Sequence, residues 1–481
     1  MNSEPRKPSL LESLLPIIIL VILLTINVFI FSDDATYGSN QLALLFAATA
    51  AALIAGRQGY QWKAILDGIV KSISSAMAAI LILMMIGALA GTWLISGIVP
   101  ALIYYGLEIL NPTIFLFAAV IVSAIVSLAT GSSWTTAATV GIALVGIGQA
   151  MEINEGVVAG AIISGAYFGD KMSPMSDTTN LAPAMAGTDL FTHIRYMTYT
   201  TIPSISITLV IFLIWGFTLD SQSKMESISI VQEAIASKFN VNMWLFLVPA
   251  VVIAMIVKKV AALPALFAGT ILGGIFAVIF QPEIILGLAE NTTGAYAYYE
   301  GMLRAMFGET SVATGQPMVD ELLSAGGMFG MMNTIWLIIC AMIFGGVMER
   351  AGMLQRLANS IIQYANSTGS LVLSTVATCS FMNITASDQY IAIVVPGRMF
   401  AGTYRDRGLA PENLSRTLED SGTVTSVLVP WNTCGAYQAG VLGVSTFSYM
   451  PFAFFNIISP AMTIFYAYVG IKIRKLANGT K

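Results

Sequence analysis

Charged residues are scarce in this chain. Lysine, arginine, aspartate and glutamate make up 10% of its 481 residues, whereas apolar residues make up 56%, and the mean hydropathy is +0.79. A soluble globular domain carries about 25% charged residues. Because so few charges cannot cover a water-facing surface of this size, the composition excludes a soluble globular protein, and we expect the lipid bilayer to cover much of the surface.

Cysteine and histidine are also scarce. Cys340, Cys379 and Cys434 lie far apart in apolar segments, and His193 is the single histidine. The cysteines are odd in number and widely spaced, so they indicate neither a disulfide framework nor a zinc site. No basic stripe indicates a nucleic-acid partner. We expect His193, close to Arg195, at the inner membrane surface rather than in a proton pathway.

Apolar runs of membrane-spanning length fill most of the chain. A helix needs about 20 residues to cross the hydrocarbon core. The first run, 14–31, ends at Asp33 and Asp34 and has no small-residue cleavage site, so we expect a retained helix. The other runs are 41–56, 74–95, 113–130, 197–218, 243–257, 261–281, 331–348, 369–385 and 448–471. Together they predict an all-α polytopic membrane protein with about fourteen membrane segments, or fewer if some segments form re-entrant hairpins.

The loop charges predict an orientation. Lysine and arginine prefer the cytoplasmic side of short loops, and here they cluster at both chain ends and in the connections 57–71, 258–259 and 350–356. Segment 282–330 carries six acidic residues against the single Arg304. We therefore expect a bacterial inner membrane protein with both termini in the cytoplasm and segment 282–330 outside.

A weak internal repeat relates two parts of the chain. At an offset of 255 residues, SLATGSSW at 127–134 aligns with MNITASDQ at 382–389, and 90–98 aligns with 345–353. One residue further on, SPMSDTT at 173–179 aligns with VPWNTCG at 429–435. The loop charges give the 74–95 helix and its counterpart at 331–348 opposite directions. Inverted-topology repeats of this kind are typical of secondary transporters.

The repeat predicts four parts of the chain. We expect N-terminal helices at 1–73, a first inverted repeat at 74–218, a connecting segment with two helices and an external loop at 219–330, and a second inverted repeat at 331–481.

Polar residues interrupt two membrane segments in each repeat. The breaks lie at 130–136 and 169–180 in the first repeat, and at 383–388 and 429–435 in the second. Proline and glycine leave backbone carbonyls unpaired, and in a membrane these groups need protein, ions or water as partners. Carbonyl, hydroxyl and carboxylate oxygens suit a small hard cation such as Na⁺. The breaks therefore predict broken helices or re-entrant hairpins around a cation site.

Carboxylates within the membrane segments are functional candidates, because a charge at the bilayer centre costs at least about 2.5–3.5 kcal/mol. Asp170, Asp177 and Asp388 are the leading ones. The alternative for each is an ion pair or a helix cap at a membrane surface, and Asp170 beside Lys171 is the clearest case for it. Glu419 and Asp420, just before the last break, are weaker candidates because they can cap a helix.

Three long stretches carry a family resemblance. SGAYFGDKMSPMSDTTNLAPA at 164–184, ASDQYIAIVVPGRMF at 386–400 and GLAPENLSRTLEDSGTVTSVLVPWNTCGAYQAGVLGV at 408–444 resemble signatures of the NhaC family of sodium/proton antiporters, within the ion transporter superfamily. The resemblance extends from about residue 60 to the end of the chain. It implies Na⁺ bound near the membrane midplane by two inverted broken-helix motifs, exchange for protons, and a transport domain that moves on a scaffold.

The resemblance also implies site residues. The ion and proton site would comprise Asp170, Ser176, Asp177, Thr178, Asp388, Asn432 and Thr433, with Na⁺ at Asp177, Thr178, Asp388, Asn432 and Thr433. Secondary candidates are the other polar residues of the breaks and the acids before the last one, namely Ser132, Ser133, Thr135, Asn383, Thr385, Ser387, Glu419 and Asp420.

The predicted function is secondary active exchange of Na⁺ for H⁺ by alternating access at a shared carboxylate site, without enzymatic activity or a cofactor. The alternative is Na⁺- or H⁺-coupled exchange of a small organic acid, of the malate/lactate or amino-acid type. An organic anion would need a cationic partner near the breaks. Lys171 and Arg398 are the nearby cations, and both are expected at the surface, which favours inorganic ions. A homodimer is left open.

Overall fold

The computed structural model describes residues 5–31, 35, 37–219, 221–362 and 366–476, and Asp33 and Asp34 lie outside the described residues. The N-terminal part consists of four helices. These are α1 (Leu10–Phe31), α2 (Ser39–Arg57), α3 (Trp62–Ile95) and α4 (Ile98–Ile109).

The first broken segments follow α4. They comprise α5 (Pro112–Thr130), α6 (Ser133–Thr136), a π-helical turn (Ala137–Gly141), α7 (Ile142–Ala150), α8 (Glu155–Met172), α9 (Asp177–Ala186) and the long α10 (Leu190–Thr218).

The connecting segment contains the candidate membrane span α13, the 11-residue apolar helix α12 and several other elements, and the two membrane helices expected there remain a prediction. In order these are α11 (Ser221–Lys238), α12 (Leu247–Val257), α13 (Ala262–Phe280), α14 (Pro282–Gly287), α15 (Ala295–Phe307), β1 (Thr310–Ser311), α16 (Pro317–Leu322), β2 (Ser324–Ala325) and α17 (Gly327–Gly330). Strands β1 and β2 form an antiparallel pair with Thr310 opposite Ala325. Lys258 and Lys259 occupy the tight turn between α12 and α13, where Lys259 has a φ of 65°.

The last part repeats the broken design. It comprises α18 (Met332–Arg350), α19 (Met353–Ile362), α20 (Thr368–Thr385), α21 (Gln389–Asp406), α22 (Pro411–Leu418), a π-helical turn (Glu419–Thr423), a 3-10 turn (Ser426–Leu428), α23 (Thr433–Leu442), α24 (Thr446–Tyr449) and α25 (Phe454–Val469).

Within the described chain, seven helices are long and apolar enough to cross a membrane, or up to nine if each bent pair is one span. The seven are α1, α2, α3, α5, α10, α13 and the continuous stretch Gly327–Arg350. This confirms an all-helical polytopic membrane protein. The number is below the predicted fourteen because helices beside the polar breaks, such as α6, α9 and α23, are too short to count as spans. The higher number and the inverted relation of the two repeats remain predictions.

Each polar break contains a residue that caps the next helix. After Gly131, which has a φ of 71°, the Ser132 hydroxyl accepts a hydrogen bond from the Thr135 amide at 3.1 Å. Ser176, Asp388 and Asn432 cap α9, α21 and α23 in the same way. Such caps satisfy amides that a helix start leaves unpaired. Ser132 and Asp388 are 256 residues apart, as are Ser176 and Asn432, so the caps recur at one spacing.

Small residues place the first break next to α8. A Cβ atom at Gly165 would lie 2.1 Å from the Val120 carbonyl oxygen of α5, and one at Gly169 would lie 2.5 Å from that of Ala124. Glycines four residues apart therefore let the two backbones approach closely, as small residues do in membrane helix pairs. The close packing brings Asp170, directly after Gly169, to the start of α6.

The broken helices pack as a group beside the N-terminal helices. Helix α3 packs against α13 and α18, and α18 packs against α2. On the other side, α10 packs against α5 and α25, and α20 packs against α21 and α25. The four breaks lie where this second group faces α3.

Candidate functional site

The polar breaks of residues 74–218, here called the first half, and of residues 331–481, the second half, line one cavity of about 280 Å³. Its α3 wall is mostly apolar and consists of Ser75, Ala76, Ala78, Ala79 and Ile82. The opposite, largely polar wall is formed by Thr130, Gly131, Ser132, Trp134, Thr135, Asp170, Met175, Ser176, Asp177, Thr178, Asp388, Gln389, Tyr390 and Thr433. The structure thus brings the motifs at residues 130–136, 169–180, 383–388 and 429–435 to one place.

Asp170 is held at the start of α6. Its Oδ2 accepts a hydrogen bond from the Ser133 amide at 3.0 Å and one from the Ser133 hydroxyl at 2.6 Å. The side chain is 8% exposed. The N-terminal end of a helix attracts negative charge, so α6 compensates part of the charge of this carboxylate.

Asp177 is the first residue of α9 and an exposed part of the cavity wall. The preceding Ser176 caps α9, and its hydroxyl lies 3.1 Å from that of Thr178. The Thr178 hydroxyl also donates a hydrogen bond to Glu419 Oε1 at 3.0 Å. Three consecutive residues therefore present a carboxylate and two hydroxyls to the cavity, and Thr178 connects them to Glu419 behind the wall.

Asp388 enters the cavity from the second half. It is 3% exposed, and its Oδ1 caps α21 by accepting a hydrogen bond from the Ile391 amide at 2.9 Å. The Thr433 amide donates to the Ser387 carbonyl at 2.9 Å, which ties the two second-half breaks together. Ser387 has a φ of 59°, and its buried hydroxyl has no hydrogen-bond partner among the described residues. Asp388 and Thr433 therefore reach the cavity from breaks that are bonded directly to each other.

Asn432, a predicted sodium ligand, does not line the cavity. Its Oδ1 accepts a hydrogen bond from the Cys434 amide at 3.0 Å, and its Nδ2 donates to the Asn383 carbonyl at 3.0 Å. Asn383 donates in turn to the Gly422 carbonyl at 2.8 Å. These two buried side-chain amides connect α20, α23 and the π-helical turn Glu419–Thr423. Sodium coordination by Asn432 remains a prediction.

The secondary candidates also fall into two groups. Ser132 and Thr135 line the cavity. Ser133 does not line it, but its hydroxyl donates a hydrogen bond to Asp170, which does. Thr385 is buried, and its hydroxyl donates to the Phe381 carbonyl of its own helix at 2.8 Å. The candidates that are buried and do not line the cavity are Ser133, Asn383, Thr385, Ser387, Glu419 and Asp420.

Lys171 is completely buried, so its expected place at the membrane surface is wrong, whereas Arg398 is exposed as expected. The alternative that Lys171 pairs with Asp170 is also wrong, since it forms an ion pair with Asp420 of the second half. Successive helical residues point in different directions, so neighbours in sequence take different partners. The ion pair is completed by hydroxyls of Thr200, Ser459 and Thr463.

Glu419 and Asp420 do not cap a helix, contrary to the alternative for them. They begin the π-helical turn that continues α22, and both are completely buried. Asp420 has a full set of partners, but Oε2 of Glu419 has none among the described residues. Single π-helical turns inside α-helices occur frequently at functional sites, and this one lies directly behind Thr178 of the cavity wall.

His193 lies in the first turn of α10 and is completely buried, so the expectation that its side chain is exposed at the inner surface is wrong. Its Nδ1 lies 2.8 Å from the Ser415 hydroxyl. Arg416 is also completely buried, and the sequence reasoning did not select it. The available signal was the rule that ionisable groups within membrane segments mark functional or paired sites. Applied to cations as well as acids, it would have selected Lys171 and Arg416.

The donor set of the cavity suits a transported cation. Within the described ranges, no three or more histidine, cysteine, aspartate or glutamate side chains lie close enough to hold a metal ion together. The cavity wall carries hydroxyl groups of Ser132, Thr135 and Thr178 as well as aspartates. Such hard oxygen donors suit Na⁺ and do not suit a soft metal.

Sequence comparisons agree with this chemistry. Residues 165–471 match the Na⁺/H⁺ antiporter family. A malate-2H⁺/Na⁺-lactate antiporter of Bacillus subtilis strain 168 is 36% identical over 479 residues, 99% of this chain and 98% of that protein. The Na⁺/H⁺ antiporter NhaC of Alkalihalophilus pseudofirmus is 37% identical and covers 87% of this chain and 88% of its own length. The arginine/ornithine antiporter ArcD of Halobacterium salinarum is 34% identical, with 97% and 93% covered. The chain belongs to the NhaC family of Na⁺/H⁺ antiporters and is a multi-pass secondary antiporter, not an enzyme.

Proposed function

We propose that the protein exchanges Na⁺ for H⁺ across the bacterial cytoplasmic membrane by alternating access at the cavity between α3 and the broken helices. The observation that carries this proposal is the composition of the cavity wall. It contains Asp170, Asp177 and Asp388, and among the described residues no lysine, arginine or histidine lines it. Such a wall attracts a cation and offers no counter-charge to an organic anion.

Sodium would bind where the helices are interrupted. Asp177, Thr178 and Thr433 offer carboxylate and hydroxyl oxygens, and the break at Thr130 and Gly131 forms part of the same wall. These donors replace part of the hydration shell of a hard cation. Because the ligands come from both halves, a movement of the broken helices against α3 would change the access to the bound ion.

Coupling follows from competition between the two ions. A carboxylate contacts Na⁺ at full strength only when it is ionised, so a bound proton and a bound sodium ion exclude each other. Asp170, Asp177 and Asp388 are the groups that can take both ions at the cavity. Exchange then needs no second site, since each ion displaces the other from the shared carboxylate.

The loop charges indicate the side of the membrane to which the cavity opens. Its wall includes Ile256 and Ala262, which flank the turn that carries Lys258 and Lys259. By the preference of basic loops for the cytoplasm, this turn is cytoplasmic. The structure would then represent an inward-facing state, with both chain termini on the cytoplasmic side.

Exchange of an organic acid is the second candidate, because relatives of similar identity include a malate-2H⁺/Na⁺-lactate antiporter and an arginine/ornithine antiporter. An organic carboxylate needs a cationic or amide partner. Lys171, a buried cation next to Asp170 in the sequence, pairs with Asp420 and does not line the cavity, whereas Gln389 supplies an amide to the cavity wall. Organic exchange would therefore need a rearrangement that exposes Lys171, or recognition by Gln389 alone.

Proton flux in inverted membrane vesicles separates these functions. Vesicles from cells without their own Na⁺/H⁺ antiporters are energised, and a pH-sensitive dye reports proton movement after addition of Na⁺, K⁺, malate, lactate or arginine. We expect Na⁺ alone to dissipate the pH gradient and K⁺ to have no effect. Vesicles with the Asp177→Asn variant serve as the matched control. A flux that requires malate, lactate or arginine would replace the first proposal by the second.

A further inference from the structure

A second pocket lies between the first turns of α10 and the segment after α25. It has a volume of about 490 Å³ and is lined by Thr192, Arg195, Tyr196, Tyr199, Lys472, Ile473 and Arg474. None of these residues lines the transport cavity. We call this site the C-terminal basic pocket.

Cations dominate the C-terminal basic pocket. Arg195, Lys472 and Arg474 are all exposed. Arg474 pairs with Glu412, with 2.7 Å between Nη1 and Oε1, whereas in the described part of the chain neither Arg195 nor Lys472 forms an ion pair. Lys472 Nζ instead lies 4.6 Å from the ring centroid of Tyr199. The pocket therefore keeps two positive charges available to a ligand.

A further positive charge lies directly behind the pocket. Arg416 is completely buried, and its guanidinium lies 4.6 Å from the ring centroid of the lining residue Tyr196. Its Nη1 donates to the Lys472 carbonyl at 3.3 Å, but Nε and Nη2 have no hydrogen-bond partner among the described residues. A buried charge without a counter-charge is costly. A negative group in the pocket would lie on the other side of the Tyr196 ring from Arg416 and would lower the cost of burying the Arg416 charge.

The backbone of the pocket is held in place before any ligand arrives. The Arg474 carbonyl accepts hydrogen bonds from the Ala410 amide at 3.0 Å and from Asn413 Nδ2 at 2.7 Å. The Leu476 amide donates to the Gly408 carbonyl at 2.8 Å. These bonds fasten the C-terminal segment to the start of α22. A ligand would therefore bind without having to order the main chain, which reduces the entropic cost of binding.

The pocket opens beside apolar surface rather than into a purely polar environment. On α10, a candidate membrane span, Phe191 is 70% exposed and Ile202 is 48% exposed. Tyr199 of the pocket and Tyr468 at the end of α25 are also exposed. Aromatic side chains of this kind are enriched at the membrane–water boundary. A ligand in the pocket would thus have a charged part among the cations and an apolar part along α10.

We propose that the C-terminal basic pocket binds the phosphodiester headgroup of an anionic phospholipid, with the acyl chains along the exposed apolar face of α10. Arginine and lysine side chains suit phosphate oxygens, and basic pockets between membrane helices on the cytoplasmic side recognise anionic headgroups. Arg416, which stacks on Tyr196, belongs to α22, and α22 continues into Glu419 behind the transport cavity. The lipid therefore braces a helix that supports the transport site.

Thermal unfolding of the purified full chain in a neutral detergent tests the proposal. Tm is measured while phosphatidylglycerol or phosphatidylcholine is added to wild type, to Arg195→Gln/Lys472→Gln, and to the control Lys258→Gln/Arg356→Gln. The control removes the same charge from exposed positions outside the pocket. Phosphatidylglycerol should raise the Tm of wild type and control. In the pocket variant the half-saturating lipid concentration should be roughly 30-fold higher, since each basic side chain near the surface contributes about 1 kcal/mol.

Three results would overturn the lipid proposal. One is an equal response of the pocket variant and wild type to phosphatidylglycerol, and another is an equal effect of phosphatidylcholine. The third is full stabilisation by inorganic phosphate alone, which would show a soluble anion as the ligand. If the pocket variant fails to fold, Arg195→Lys/Lys472→Arg replaces it. This charge-conserving variant should keep the phosphatidylglycerol response, and its loss would exclude headgroup charge as the cause.

Discussion

The two halves of the molecule use the same backbone design at their breaks but give it different side chains. In the first half, Ser132 and Ser176 cap the helices that follow the breaks, and Asp388 and Asn432 do so in the second. After the cap at residue 176 the first half has Asp177, exposed to the cavity. The second half has Thr433 at the corresponding position. The first half thus presents two aspartates to the cavity, and the second presents one that also serves as a helix cap.

This difference assigns different tasks to the halves. The first half supplies most of the charge that would contact a cation, through Asp170 and Asp177. The second half supplies more of the bonds that hold the broken helices together, such as those from Asn432 to Asn383 and from Thr433 to Ser387. The buried Lys171–Asp420 ion pair joins the two halves behind the cavity. Positions that match in the predicted repeat therefore share a role in helix capping without sharing a chemical one.

The largest expected effect concerns the orientation of the two halves in the membrane, which should be opposite. Single cysteines from Lys71→Cys and Arg356→Cys should react with an impermeant maleimide only from the cytoplasmic side, and one from Glu309→Cys only from outside. Right-side-out and inside-out vesicles of a variant without Cys340, Cys379 and Cys434 give the measurement. Labelling of positions 309 and 356 from the same side would contradict the inverted relation.

The largest functional effect should come from the first half. Asp177→Asn removes an exposed carboxylate of the cavity, so sodium-driven proton flux should fall to the level of empty vesicles at normal protein abundance. Thr433→Val, at the corresponding position, removes one hydroxyl and should weaken apparent sodium affinity by less than about tenfold, since a hydrogen bond or ligand of this kind contributes about 1 kcal/mol. Equal effects of the two substitutions would remove the distinction between the halves.

Loss of the Lys171–Asp420 ion pair between the halves should lower the unfolding free energy more than any other substitution considered. Lys171→Met leaves Asp420 buried without its counter-charge and should cost about 3–5 kcal/mol of unfolding free energy. The double variant Lys171→Met/Asp420→Leu removes both charges and should recover most of this loss. Denaturant unfolding in detergent measures both. A double variant as unstable as the single one would show that packing, rather than the unpaired charge, causes the loss.

Proton competition sharpens the role of the cavity carboxylates. Below the pKa of the shared group, each unit of falling pH should weaken apparent sodium affinity about tenfold, because ionisation then costs roughly 1.4 kcal/mol more. Above that pKa the affinity should level off while the rate falls for lack of protons, so the activity profile is bell-shaped. Sodium titrations of proton flux at one-unit pH steps provide the measurement. A constant sodium affinity with a changing maximal rate would mean that the proton uses a separate group.

The smallest expected effects distinguish the caps. Ser176→Ala should lower the unfolding free energy by about 1 kcal/mol, the usual cost of losing an N-cap. Asn432→Ala should lower it by up to about 3 kcal/mol, because it also removes the donor to the buried Asn383 carbonyl. Ser176→Ala should also change apparent sodium affinity, because Ser176 lines the cavity. Asn432→Ala should change it as well only if Asn432 coordinates Na⁺ as predicted, since its side chain does not line the cavity. The unfolding midpoint and the sodium titration are measured on the same preparations. Weaker sodium binding by Asn432→Ala with unchanged stability would make Asn432 a direct ligand.

Local features were predictable where local physics decides them. The apolar runs at 41–56, 113–130 and 261–281 became α2, α5 and α13 with ends shifted by two residues or fewer. The polar breaks also appeared where expected, since proline, glycine and capping side chains interrupt a helix through neighbouring backbone groups. By contrast, the expected surface positions of Lys171 and His193 were wrong, because burial depends on helices that lie far away in the sequence.

By itself, the sequence determined that the chain enters a membrane, where its helices break and which side chains occupy the breaks. Hydrophobic length and helix capping act over a few residues, so they can be seen along the chain. Only the tertiary structure decided that four breaks share one cavity, that Asn432 donates to the Asn383 carbonyl, and that Lys171 pairs with Asp420 rather than with Asp170. The physical reason is that a buried charge takes whichever counter-charge the packed helices bring to it, and packing joins residues that the sequence separates by hundreds of positions.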